Sequence, residues 1–289
     1  MARPLPRTTS GDAWSRARRS PSLVIGAVLS ALIILAAALS LVWTPYSYAA
    51  IDIPHRLMGF SAEHWFGTDQ YGRDVFSQIL VGARTSIVVA LIAVGVGIAI
   101  GTPLGLWAAA RRGSLADELI LRANDLVFAF PALLFDILIT ALLGAGEINA
   151  TIAIGFFIIP VFARLSRAAA LSLWTQDFIL AARVAGKDRV RISVEHILPN
   201  ILNTLVVQGT IQFSLGILAE AALAYVGLGA QPPLPSWGKM LADSQTLIGL
   251  APQLALLPGL AIVLTVLGLN LLGDGLRDAF DVRLRGDRR

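Results

Sequence analysis

Ionisable side chains inside long apolar runs are costly and mark proton relays, ion paths or substrate paths. Two carboxylates of this kind stand out: Asp136 in LLFDILIT and Glu220 in ILAEAALAY. Asp136 could pair with a neighbouring chain or line a wet path. Glu220 could make a structural hydrogen bond or line the path. Gln208 and Gln212, one turn apart, would share a helix face turned to a sister chain or a polar lumen. Asp125, beside Asn124 and one turn after Arg122, reads as a cap, an ion partner of Arg122 or a path residue. Outside the apolar runs, GTDQYGRD (67–74) sets Asp69, Arg73 and Asp74 among turn formers, without the spacing of an EF-hand. QPPLPSW (231–237) carries Pro233 and Trp237 and reads as stiff and extended. These two segments are candidate recognition surface, or loops that only cover the helices.

Catalytic constellations do not emerge. The chain has no Cys, which excludes thiolate catalysis and Cys-based metal sites. His55, His64 and His196 show no HExxH or similar ligand spacing, GxSxG is missing, and no metal site is expected. GKD (186–188) and GKM (238–240) lack the Ser or Thr of a phosphate loop, so the chain does not read as an ATPase, or as an enzyme of any class. No groove of mixed aromatic and basic residues suggests nucleic acid.

These residues must be held by membrane helices. Of 289 residues, 56% are hydrophobic and 15% charged, and mean hydropathy is +0.71. A soluble domain carries about a quarter charged residues. Six spans are predicted, at 22–43, 86–110, 125–143, 148–163 (running on towards 173), 201–228 and 249–272. Backbone groups in lipid must pair within the segment, so the spans are helices. The first is too long for the apolar core of a signal peptide and reads as a retained anchor. The chain divides into a basic segment (1–21), disordered over its first residues, the first helix (22–43), an outer segment (44–85), a five-helix core (86–274) and a tail (275–289).

Net charge is +4 and the pI about 9.9. With the amino terminus inside, every Lys and Arg except Arg56, Arg73, Arg84 and Lys239 falls on the cytoplasmic side. The positive-inside rule therefore places both termini in the cytoplasm, and Trp43, Tyr46, Tyr48 and Trp107 suit the interfaces. In the second span GIAIGTPLG (97–105) places small residues every fourth position, a signal for close helix packing.

Residues 174–200 break the apolar pattern. Thr175 or Asp177 can cap a helix, Phe178, Ala181, Ala182 and Ala185 would line one face, and Gly186 would stop it. Asp188 can cap a second helix, with Val190, Val194 and Ile197 on one face and Pro199 ending it. Such a helix–turn–helix could lie on headgroups, pack on its own chain or dock into a groove of another protein.

The stretch resembles the "EAA" loop of ABC importer permeases at Ala181, Ala182, Gly186, Leu198 and Pro199. It departs from that pattern at Leu180, where the loop has Glu, and at His196, where it has Ile; HILPN is frequent in the peptide and nickel branch. HWFGTDQYGRDVFSQILVGARTS (64–86), GILAEAALAYVGLGAQPPLPSWGKML (216–241) and LGDGLRDAFDVRLR (272–285) are similar to the same branch. Together they resemble the second, C-type permease of dipeptide, oligopeptide and nickel importers. The resemblance implies an all-α membrane permease with six transmembrane helices and a cytoplasmic coupling loop between the fourth and fifth. Such a permease would form half a pore for short peptides, or for nickel or another small solute, in the inner membrane of a prokaryote. The implied partners are a second permease, two ATPases that bind ATP and Mg, a substrate-binding protein on the outer face and membrane lipid, with no cofactor in this chain. A secondary transporter or channel needing no ATPase is the outside alternative; it predicts inverted repeats or broken helices around an ion site.

Overall fold

The computed structural model describes residues 21–286, with side chains through residue 279, and these residues form helices joined by turns and one isolated bridge, Thr68–Asp74. Arg3, Arg7, Arg16, Arg18, Arg19, Arg288 and Arg289, and the expected disorder of the first residues, lie outside them, as do the side chains of Arg283 and Arg285.

α1 covers Pro21–Leu39, with proline where the missing N–H costs nothing. α2 covers Val75–Ala110, started by the Asp74 carboxylate accepting from the Ser77 N–H at 2.7 Å. It begins well before the predicted 86. At ~1.5 Å per residue its 36 residues reach about 54 Å, more than the ~30 Å of hydrocarbon.

The predicted third span is broken. α3 (Leu115–Phe128) and α4 (Ala132–Leu143) meet at 91°. The cause is Pro131, which removes a donor and pushes Phe130 out of the α region. α5 covers Glu147–Leu173, α6 Asp177–Val184 and α7 Arg189–Ile192. A π-turn at Ser193–Ile197 leads into α8, Leu198–Tyr225. Pro199 does not end the helix as expected. The Leu198 N–H bonds back to the Ser193 carbonyl, and the wider turn lets the proline ring follow without a break. α9 is Trp237–Ser244 and α10 Gln253–Gly286, so α10 runs on through residues assigned to a tail. Among the described residues five helices are long and apolar enough to cross a membrane, six if the bent pair α3–α4 is one span.

α2 and α5 form the most extensive helix pair. A Cβ at Gly97, Gly101 or Gly105 would lie 2.3 Å from Ile158 Cγ2, 2.4 Å from the Ile159 carbonyl and 2.1 Å from Ser166 Oγ. The small-residue stripe is therefore the seam of this pair, as the spacing predicted. α1 rests on α10, where a Cβ at Gly26 would be 2.3 Å from Leu272 N. One apolar cluster joins α2, α5, α8 and the α6–α7 hairpin, and another joins α1, α2, α8, α9 and α10. Residues 40–74 and 226–252 cap the end at which α2 starts, and the hairpin sits at the end where α2 stops.

Candidate functional site

The hairpin is built largely as its residues dictate. Gly186 has φ +80, the Gly186 N–H donates to the Arg183 carbonyl at 2.9 Å and the Lys187 N–H to Ala182 at 3.1 Å. This pair of bonds closes a Schellman turn on α6. Asp188 then caps α7, its Oδ1 accepting from the Arg191 N–H at 2.7 Å. The expected cap at Thr175 or Asp177 is absent: Gln176 is the capping position without a side-chain bond, Asp177 is the first helical residue, and the Thr175 hydroxyl donates back to the Ser172 carbonyl.

The faces differ from those expected. Ala182 is buried together with Ile179, Ile192 and Ile197 against Trp174 and the α2–α5 core. Ala182 is thus part of the hairpin's anchor to its own chain, and Ala181 and Ala185 stay on the outer side with Phe178, Leu180 and Val184, the last 90% exposed. Ile197 leaves the Val190–Val194 face because the π-turn adds a residue to the repeat. Leu198 and His196 are half-buried and Pro199 is exposed. The outward surface is therefore a row of exposed apolar groups, Phe178, Leu180, Val184, Val190 and Val194, over a rigid base.

Polar contacts stiffen that base. Lys187 Nζ and Arg191 Nε each meet Glu195 at 2.6 Å, and Lys187 Nζ lies 2.9 Å from His196 Nε2. Arg183 stacks on the Trp174 ring at 4.8 Å. Arg189 donates from Nη1 to the Ala110 carbonyl at 2.9 Å, joining the hairpin to the last turn of α2. Sequence reasoning missed Arg189, and a cation three residues after the turn glycine carries no signal for that distant partner.

The outer candidates are mostly scaffold. Asp69 accepts from the Tyr71 and Arg73 N–H groups, from Arg73 Nε at 2.6 Å and from Gln78 Nε2 at 3.0 Å. Asp74 is spent on the α2 cap and on His64 Nδ1 at 2.9 Å. Trp237 is buried, its indole N–H donating to the Ile79 carbonyl at 3.2 Å, so it is a core residue and not an exposed contact. Of this group Pro233 is exposed and Arg73 half-buried. QPPLPSW turns at Pro232 and Pro233, closed by the Leu234 N–H on the Gln231 carbonyl, where an extended run was expected.

The polar residues of the spans do not converge. Asp125 pairs with Arg164 of α5, not with Arg122, which meets Glu118 at 2.5 Å. Asn124 is buried with Nδ2 unpaired. Asp136 is buried, with Oδ1 and the Thr140 hydroxyl one turn on both unpaired. Gln212 is buried and Gln208 half-buried on α8. Glu220 is 1% exposed and accepts from the Ser86 hydroxyl at 2.7 Å. Asp117 holds Arg167 through two bonds at 2.7 and 2.8 Å; sequence reasoning missed this pair, whose partners lie 50 positions apart. Among the described residues no group of three or more His, Asp or Glu is placed to hold a metal ion.

A helical bundle of several apolar spans, carrying an amphipathic hairpin at one end, defines a polytopic membrane protein of the transport-permease class. Its fold is shared by a solved inward-facing structure of the MetNI methionine ABC transporter, with a TM-score of 0.59 at 20% identity over 70% of this chain and 96% of that one. Residues 101–286 match the family of binding-protein-dependent transport system inner membrane components, and residues 8–59 the N-terminal transmembrane domain of oligopeptide transport permease C. The dipeptide transport system permease protein DppC of Alkalihalophilus pseudofirmus is 44% identical over 95% of this chain and 90% of its own length. The glutathione transport system permease protein GsiD of Escherichia coli is 43% identical over 97% of this chain and 92% of its own. The chain belongs to the family of ABC importer inner-membrane permeases, in its oligopeptide permease C branch.

Proposed function

We propose that the chain is one of two permease subunits of an ATP-driven importer of short peptides, and that the α6–α7 hairpin is the surface gripped by a cytoplasmic ATPase. The observation that carries this is the exposed row Phe178, Leu180, Val184, Val190 and Val194 on a hairpin whose other face is locked into the bundle. An apolar ridge on a rigid base can enter a partner's groove with little loss of freedom. The basic residues around it (Arg183, Lys187, Arg189 and Arg191) favour the cytoplasmic side. Both termini then lie inside as well, and the cap of residues 40–74 and 226–252 faces the substrate-binding protein. ATP and Mg belong to the partner subunits, and this chain supplies no catalytic group. Short peptides are the substrate class because relatives similar over nearly the whole chain are named for dipeptides and for glutathione, itself a short peptide.

The test is reconstitution with a second permease, two ATPases and a binding protein. ATP-dependent uptake of radiolabelled dialanine is expected, and it should be lost on replacing Val184 and Val190 together by Asp while assembly of the permease pair persists. Uptake without ATP or without the ATPases would defeat the proposal. Alkaline phosphatase fused after residue 60 or 240 should be active, and fused near residue 190 inactive; the reverse would overturn the orientation.

A further inference from the structure

Glu220 is the most deeply buried carboxylate of the described chain, at 1% exposure. It lies on α8 and accepts at Oε2 from the Ser86 hydroxyl of α2 at 2.7 Å. Oε1 makes no well-formed hydrogen bond. A buried carboxyl without a cation is expensive in a membrane bundle, so its retention asks for a role. At this exposure it lines no open path.

Its surroundings are a three-way joint. A Cβ at Gly238 would fall 2.3 Å from the Ala221 carbonyl, so α9 lies directly on α8 at the residue after Glu220. A Cβ at Gly82 would fall 3.1 Å from Trp237 Cδ1, and Trp237 bonds the Ile79 carbonyl, so the same turn of α9 is wedged on α2. The other end of this rod is the hairpin, because residues Arg189–Tyr225 run as one helical stretch of 37 residues, about 55 Å.

We infer that Glu220 is a positioning residue of the transport cycle: through Ser86 it fastens the far end of the hairpin-bearing helix to α2, at the turn where the outer helix α9 is wedged on both, so that the hairpin and the outer cap move as one. This rests on the importer reading above. It predicts that the joint carries the signal by which binding protein at the cap stimulates ATP hydrolysis at the hairpin.

The experiment uses the complete transporter in proteoliposomes. Three quantities are read: basal ATP hydrolysis, its stimulation by loaded binding protein, and dialanine uptake. Glu220→Ala is expected to keep basal hydrolysis, lose the stimulation and lower uptake about tenfold or more. Glu220→Gln, whose amide oxygen can still accept from Ser86, is expected to restore both. If Glu220→Ala does not assemble, the Ser86→Ala variant decides, since it removes the hydroxyl that Glu220 accepts from with little change of volume; it should show the same loss of stimulation. Normal stimulation in whichever of these two variants decides would overturn the inference, as would a Glu220→Gln protein as uncoupled as Glu220→Ala. Failure of the wild-type transporter to respond to binding protein would strike the importer reading instead.

Discussion

Arg189 donates a hydrogen bond to the carbonyl of Ala110, 79 positions earlier, at 2.9 Å. Ala110 is the last residue of α2, whose terminal carbonyls have no partner within the helix and carry the negative end of its dipole. A guanidinium satisfies both needs, so the first residue of α7 is tied to the helix that forms the main seam of the bundle. The hairpin therefore has two fixings: an apolar one through Ile179, Ala182, Ile192 and Ile197, and this polar one.

Replacing Arg189 by Ala should leave the apolar fixing intact and cost about 1 kcal/mol, the scale of one charge-assisted bond at a partly solvated site. Membrane level should be unchanged, while uptake falls several-fold because the hairpin transmits less of its movement to α2. Quantitative immunoblotting beside dialanine uptake measures both. Unchanged uptake at equal protein level would show that the apolar fixing is sufficient.

Gly186 presents a different constraint. Its φ of +80 disfavours any side chain, while a Cβ there would meet nothing within 4 Å. The penalty is conformational, about 1–2 kcal/mol for an ordinary residue and less for Asn. Uptake should fall in the order Gly186, Gly186→Asn, Gly186→Ala, Gly186→Val, with β-branched Val the worst. Equal loss for Asn and Val would show that the surface proposed to meet the ATPase needs the empty space itself.

Periodicity and glycine placement made much of this legible. The α2–α5 seam, the Gly186 turn and the Asp188 cap follow from local rules, and apolar run length located the spans. What stayed hidden depends on long-range partners or on small departures from ideal repeat. Ala182 and Ala181 are indistinguishable by type, and only the docked hairpin shows which one faces inward. The π-turn at Ser193–Ile197 moves Ile197 off the face that a 3.6-residue repeat assigned to it. Asp69, Asp74 and Trp237 have the residue types of a recognition surface, but their hydrogen bonds are used up inside the cap. The apolar residues on both sides of Pro131 read as one span, and only the structure shows the bend there.

The Asp117–Arg167 pair links α3 to α5 through two bonds, with Asp117 almost fully buried and Arg167 partly open. Removing one partner should cost more than removing both, because a lone buried charge keeps its desolvation penalty. Arg167→Ala is expected to destabilise the purified protein by about 2–3 kcal/mol, and the Asp117→Ala, Arg167→Ala pair by less than the two single changes added together. Thermal unfolding in detergent across the four proteins gives the coupling. Strict additivity would mean that solvent already screens the pair.

Gly101 and Gly95 lie on the same helix and separate packing from intrinsic propensity. A Cβ at Gly101 would sit 2.4 Å from the Ile159 carbonyl and 2.9 Å from Phe162 Cβ, whereas at Gly95 nothing lies within 4 Å. Backbone atoms cannot turn aside, so even Gly101→Ala must push α2 away from α5 along a tightly packed seam, at about 1–3 kcal/mol. Gly95→Ala should be neutral, or stabilising by up to about 1 kcal/mol, since alanine is the better helix former. Unfolding temperature in detergent should therefore fall for the first and hold or rise for the second. If Gly95→Ala keeps that stability but loses uptake, the face around Gly95, which is exposed in the isolated chain, is assigned to the contact with the proposed second permease.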